Sequence, residues 1–387
     1  MNTIINKIGG SLILFAALLF TACTEDSPKT DMSNVTPKPV PAPVLPTDFV
    51  KGADVSWVTK MENDKQSFYD KNDNAIDCFK LLRQECGANA IRLRVFVNPK
   101  DGWCGKDDVV LKALRAKNEG MRVMIDFHFS DSWADPGKQR IPLAWKGFTK
   151  EEIQQAIKDH VTEVLFTLIA QGVTPAWVQI GNETTNGMLY QSTDAWNDTE
   201  DNAWNYNFTT GVSGYYTNGS GSVFTGYVNA GYDAVKALLP DCKVIVHIDH
   251  SDYMGNFNKV FHALKNNNGR YDMIGISVYP EQEPSGGQSK KTWKKYTQDV
   301  IDNIAWAYNT FNKEVMIVEF GMPCDGEDAD GNKRVDNASQ SLRMLLDAAS
   351  TADSHLKGIF YWEPQAEQSY NGYKEGCFKN GKPLLTF

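Results

Sequence analysis

Two glutamates stand where paired acid chemistry is feasible. Glu183 closes the segment VQIGNE at 178–183, and Glu319 lies in VMIVEF at 315–320. Both follow apolar, largely β-branched runs of the kind that form buried strands. Cleaving the acetal between two sugars needs a proton for the departing oxygen and electron density for the anomeric carbon, which two carboxyl groups facing each other across a cleft supply. A gap of about 5–5.5 Å sets up retention of configuration and one of about 6.5–9.5 Å sets up inversion. Spacing along the chain does not fix that gap. Asn182, directly before Glu183, is placed to hydrogen-bond a sugar 2-hydroxyl, a contact that strengthens as charge develops. An isolated strand-end glutamate is more often a salt-bridged or solvated carboxylate, so the meaning of this pair rests on the elements that hold it.

Those elements alternate. Strand patterns fall near 50–55, 90–97, 122–129, 176–182, 243–249, 273–279, 315–320 and 357–362. Amphipathic helical patterns fall near 75–86, 107–119, 150–171, 225–239, 257–267, 292–311 and 339–349, several of them ended by Gly87, Gly120, Gly172 or Pro240. Eight strands with helices between them, the strands apolar on both faces, predict an α/β protein with a single (β/α)8 barrel whose last helix is short or missing. An open doubly wound sheet would be expected to carry a glycine-rich phosphate loop after its first strand, and GADVSW at 52–57 has none.

The carboxyl ends of barrel strands build the active site. Here they carry Asp54 and Ser56, Arg92 and Arg94, Asp126 and His128, Asn182 and Glu183, His247 and Asp249, Ser277 and Tyr279, Glu319, then Trp362 and Glu363. Glu183 and Glu319 end the fourth and seventh strands, from which two side chains converge over the mouth. Arg92 and Arg94 are read as diverging to opposite faces, with Arg94 the one that holds the nucleophile ionised and Arg92 structural. His128 and His247 are expected either to orient a carboxylate or sugar hydroxyl or to serve as satisfied core residues. Trp57, Trp103, Trp133, Tyr279 and Trp362 follow or end strands, and their flat rings suit the C–H faces of sugars. The long segment 184–224 is read as one wall of the cleft. The acidic stretch DGEDADGNKRVDN at 325–337 matches no full calcium motif and is read as a solvated turn.

The amino terminus reads as an address. Lys7, the apolar run Leu12–Phe20 and Thr21-Ala22-Cys23 form a lipoprotein signal over residues 1–22, with Cys23 lipidated. A proline-rich tether covers 23–48 and the catalytic domain 49–387. This places the protein outside the cytoplasm, at the outer membrane and facing the cell surface, anchored by lipid alone. A formal charge of −9 without a basic cluster argues against nucleic acid. The six remaining cysteines form no Cys-x-x-Cys pair, no metal or other cofactor is expected, and one or two disulfides are left open. A monomer is expected.

At this point the strand ends resemble a known family, glycoside hydrolase family 53, the endo-β-1,4-galactanases. The likeness is carried by GADVS at 52–56, IRLRVFVNP at 91–99, DFHFSDSWADPGKQ at 126–139, IGNE at 180–183, ISVYP at 276–280, IVE at 317–319 and YWEP at 361–364. It implies retaining, endo-acting hydrolysis of β-1,4-galactan and galactooligosaccharides, with Glu183 as acid/base and Glu319 as nucleophile. It also implies that Trp133 and Asp135 belong to the cleft and that Trp362 matches the family's last-strand tryptophan. Phe96, where a tryptophan is more usual, and FGMP at 320–323 depart from the pattern. Calcium is not carried over, because the late loops look short. The rival readings are a related barrel β-mannanase or endoglucanase, and a non-catalytic surface glycan-binding lipoprotein.

Overall fold

A computed structural model describes residues 44–191, 212–215, 221–282, 284, 289–368 and 370–386. Cys23, nearly all of the tether and the centre of segment 184–224 lie outside the described residues. Eight parallel strands close a barrel: β1 Val50–Asp54, β2 Ala90–Val95, β3 Arg122–Phe127, β4 Trp177–Ile180, β5 Lys243–Ile248, β6 Met273–Val278, β7 Val315–Phe320 and β8 Leu356–Trp362. Each strand pairs with its neighbour in sequence, and β8 returns to β1. The expected (β/α)8 class is therefore the observed one.

Helices α1 Val58–Asn63, α2 Cys78–Gln84, α3 Lys106–Asn118, α4 Lys150–Ala170, α5 Ser222–Leu238, α6 Met254–Asn266, α7 Trp293–Phe311 and α8 Arg334–Ala349 lie between the strands. Their ends follow local chemistry. Thr149 and Glu152 form a capping box at the start of α4, and Asp77 and Thr292 cap α2 and α7. Gly172, with φ at 72°, supplies the left-handed residue after α4. The sequence pattern misses α1, whose six residues are too short to show a helical period and whose N-cap Trp57 makes no side-chain cap bond. After β8 the described residues hold only a short 3-10 turn at Tyr370–Gly372 and a hairpin of Phe378–Lys379 with Lys382–Pro383, where the barrel repeat would place a closing helix.

A disulfide between Cys324 and Cys377 ties this tail to the loop after β7. The Tyr361 hydroxyl sits at the same junction, donating to the Met322 carbonyl at 2.7 Å. The departing residues FGMP are thus anchored to the tail. In the acidic loop, Asp328 accepts from Asn332 Nδ2 and N–H, from Asn337 Nδ2 and from the Asp330 N–H, which hold its carboxyl down at about 2.

The apolar residues divide into two cores. The larger fills the layer between barrel and helices. The smaller plugs the barrel interior with Val50, Met124, Trp177, Ile245, Met316 and Phe360. Gly52 makes room for it, since a Cβ there would lie 2.2 Å from the Phe360 ring. This dry plug leaves the opposite, carboxyl end of the barrel for polar groups. Phe360→Ala should cost about 3–5 kcal/mol, read as a lower urea midpoint with unchanged slope. A midpoint shift near zero would show that the plug is not the interior core.

Candidate active site

The carboxyl ends of the strands carry a connected set of buried charges. Register sets Asp54 of β1 beside Arg92 of β2, and Arg94 of β2 beside Asp126 of β3. Arg92 Nη1 lies 2.8 Å from Asp54 Oδ2 and 3.0 Å from Glu319 Oε1. Its Nη2 donates to Asp126 Oδ2 at 2.8 Å, Asn182 Oδ1 at 2.9 Å and Gln179 Oε1 at 3.1 Å. Spending its donors in this way offsets the cost of burying the cation.

This corrects the reading of the two arginines. Positions two apart on a strand share a face, so Arg92 and Arg94 both point inward. Arg92, not Arg94, is the partner of Glu319. Arg94 Nη1 pairs with Glu363 Oε1 at 2.7 Å, and its guanidinium lies 4.3 Å from the Trp133 ring centre, 5.4 Å from Trp57 and 5.7 Å from Trp362. Its Nε and Nη2 have no hydrogen-bond partner among the described residues, which fits a cation facing aromatic rings. Glu363 also accepts the Trp57 N–H and Gln365 Nε2. Burial pushes its carboxyl up to about 7 despite Arg94.

The two glutamates differ in what surrounds them. A register shift in β6 between Ile276 and Ser277 brings Ser277 level with Glu319. Glu319 is held by Arg92 and by the Tyr279 hydroxyl, which donates to Oε2 at 2.7 Å. Burial raises its carboxyl, and these two contacts oppose the rise. Among the described residues Glu183 has no cationic partner; its Oε1 accepts from the Ser277 hydroxyl at 2.7 Å. Burial first, and then the charge of Glu319, lift it well above the usual carboxylate range. The φ of 45° at Glu183 breaks the strand alternation, so that consecutive Asn182 and Glu183 both serve the site. Phe129, His250 and Glu363, which follow or end other strands, share this left-handed conformation, a costly one for residues with a side chain.

The remaining expected residues separate into supports and walls. Asp54 and His128 are buried and committed to protein partners. Ser56 N and Oγ donate to Asp54, while His128 Nε2 lies 2.9 Å from Asp126 and its Nδ1 accepts the Ala134 N–H. Among the described residues Asp54 is thus held between Ser56 and Arg92, and His128 between Asp126 and the Ala134 N–H. Asn182 gives Nδ2 to the Ala134 carbonyl, and His247 lies between Ser277 and the Glu183 backbone. Asp135, half-buried, closes a turn by accepting the Gly137 N–H. Gln139 then ties that turn to the Asn182 carbonyl at 2.7 Å.

Trp133 and Trp362 meet Trp57 edge-on, with ring centres 5.9 and 5.0 Å away. Phe96 backs Trp133 and His128. Trp57, Trp103 and Trp133 line a cavity of about 1080 Å³ on the β1–β3 side. Sequence reasoning gave no role to Gln179, which links Arg92 to Asp126, or to Glu363. The inward half of the β4 pleat was the available signal for Gln179. Among the described residues no cluster of three His, Cys, Asp or Glu side chains is arranged to hold a metal ion.

A closed parallel barrel whose mouth pairs a restrained, cation-bound carboxylate with a proton-holding one, beside an aromatic wall, has the form of a barrel glycoside hydrolase. The profile of glycosyl hydrolase family 53 matches residues 50–383, and the chain belongs to that family. It is 34% identical over 335 residues to an arabinogalactan endo-β-1,4-galactanase of Cellvibrio japonicus, covering 82% of this chain and 81% of the relative. It is 29% identical to an endo-β-1,4-galactanase of Bacillus subtilis, over 82% of this chain and 70% of the relative. Among solved structures, the family 53 catalytic domain of Ignisphaera aggregans superposes with a TM-score of 0.71 at 24% identity, over 89% of this chain and 96% of that one, which supports the fold.

Arg92→Lys should lower kcat/KM by at least about 10²-fold, because a single ammonium cannot reproduce the fork that serves three carboxylates. Arg92→Met should also cost about 3–5 kcal/mol in urea unfolding by leaving buried carboxylates unpaired. Wild-type kinetics in Arg92→Lys would remove Arg92 from this role.

Proposed function

We propose that the protein is an endo-β-1,4-galactanase that cleaves internal bonds of galactan, including the side chains of pectic arabinogalactan, with retention of configuration. Glu319 is the nucleophile and Glu183 the acid/base. The observation that carries these roles is the asymmetry of the pair: Arg92 and Tyr279 hold Glu319, whereas among the described residues Glu183 meets a neutral hydroxyl and like charges, Glu319 foremost. Separated protonation states are what the two jobs require. Membership of family 53 and the names of the relatives support the substrate.

In the first step a Glu319 oxygen bonds to the anomeric carbon as the glycosidic C–O bond breaks, and the Glu183 proton passes to the leaving oxygen. In the second, Glu183, now ionised, takes a proton from water. The resulting hydroxyl displaces Glu319 and restores both groups. Trp133, Trp362 and Tyr279 form the wall on which sugar rings pack, with Asn182 and Asp135 at its polar edge.

Incubation with β-1,4-galactan should release a ladder of galactooligosaccharides whose newly formed ends are first β, as followed by proton NMR. Glu183→Ala and Glu319→Ala should each lower turnover by about 10²-fold or more. Cleavage of mannan or cellulose in preference to galactan would overturn the substrate, α-first products would overturn retention, and unchanged turnover in either variant would overturn the roles.

The protein is also proposed to be an exported lipoprotein of the outer membrane, exposed at the cell surface and joined to the membrane only through Cys23. Lys7, the short apolar run and the residues before Cys23 support this, as does a disulfide suited to an oxidising compartment. Cys23→Ala should abolish labelling by radioactive palmitate and release the protein from the membrane fraction. Labelling that persists would refute the anchor.

A further inference from the structure

Beneath Glu183 lies a hydrogen-bond chain whose direction can be read from one backbone group. The Glu183 N–H points at His247 Nδ1, 3.2 Å away, and a backbone N–H can only donate. Gln179 Nε2, another donor, lies 3.0 Å from the same nitrogen. Asn182 Oδ1 is also 3.0 Å away, yet it already accepts from Arg92 Nη2 and Gln179 Nε2. A proton on Nδ1 would be driven against the backbone hydrogen, so Nδ1 is the acceptor.

Burial, with Arg92 and His128 nearby, keeps the His247 imidazole neutral, so its one proton sits on Nε2. Nε2 lies 2.8 Å from Ser277 Oγ and therefore donates to it. Ser277 must then spend its own proton on Glu183 Oε1, at 2.7 Å. The backbone fixes both intermediates: Thr184 Oγ1 donates to the His247 carbonyl, and Ser251 Oγ donates to that of Ser277.

We propose that His247 and Ser277 are positioning residues that form a one-way donor chain into Glu183 Oε1, reserving Oε2 as the oxygen that carries and delivers the proton. The carbonyl oxygen of a carboxyl group is a better acceptor than its hydroxyl oxygen, so a hydroxyl that donates to Oε1 favours the proton on Oε2. Among the described residues Oε2 has no partner, which leaves it to the substrate. The chain also tempers the acid, because a donor to Oε1 favours the carboxylate that forms after proton transfer. The other ionisable groups facing Glu183 are Glu319 from β7, Tyr279 from β6, Asp249 from the end of β5 and Asp135 from the loop after β3. All of them remain when Ser277 is changed.

The inference rests on Glu183 as proton donor, and its tests do not depend on galactan. In the intact wild-type protein, two-bond 15N–1H NMR should find His247 protonated at Nε2 and bare at Nδ1. A proton on Nδ1 would overturn the chain without any variant. In protein labelled with 13C-glutamate, with the Glu183 signal identified by its loss in Glu183→Gln, Ser277→Ala should move the Glu183 midpoint up by about one pH unit. Ser277→Thr, which keeps the hydroxyl, should restore it. An unmoved or lowered midpoint in a Ser277→Ala protein of wild-type melting temperature would reduce Ser277 to a filler of space. A wild-type enzyme that ignored galactan would refute the substrate and leave both spectroscopic results standing.

Discussion

One guanidinium that never loses its proton sits among carboxylates that would otherwise repel one another. Arg92 lies within 3.0 Å of Asp54, Asp126 and Glu319, on three different strands. Opposite charges at such distances attract by about 4 kcal/mol each even at an effective dielectric constant near 20. Without that attraction burial would favour a proton on Glu319, and the difference between the two glutamates would narrow. The barrel register is therefore part of the electrostatics, because it decides which strand delivers an acid to which side of the guanidinium.

Arg94 does related work for the walls. It is two positions along the same strand, so the same pleat that aims Arg92 at Glu319 aims Arg94 beneath Trp133, Trp57 and Trp362. Glu363 holds its charged end and also accepts the Trp57 N–H, joining β8, β1 and β2 around one ion pair. The chemistry and the aromatic surface are thus set by neighbouring rungs of a single strand. The tail that follows β8 in place of a closing helix reaches the same region, where Tyr373 donates to the Trp362 carbonyl and lies close to Gly321, just beyond Glu319.

Much of this was legible in the sequence because strands buried on both faces and helices with capped ends leave periodic traces. VMIVEF became β7 over the same residues, and the pattern at 292–311 became α7 at Trp293–Phe311. The fourth strand, read as 176–182, runs Trp177–Ile180, since the left-handed Gly181 and Glu183 end it two residues early. Direction was harder than position. Asp54 and His128 were correctly placed at strand ends, but a strand end does not say whether a polar group faces a ligand or another side chain. The exchange of Arg92 for Arg94 came from misapplying the pleat, which would have assigned both inward. The Cys324–Cys377 pairing joins segments 53 residues apart in sequence and leaves no local mark.

The left-handed residues Phe129, Glu183, His250 and Glu363 have a consequence for how such a barrel can be improved. They cluster where the strands open, while the dry plug around Phe360 lies at the other end. Heat tolerance and turnover therefore occupy opposite ends of the same eight strands. A designer can tighten the floor freely, but relaxing the rim, however favourable for the backbone, would move the groups that do the work.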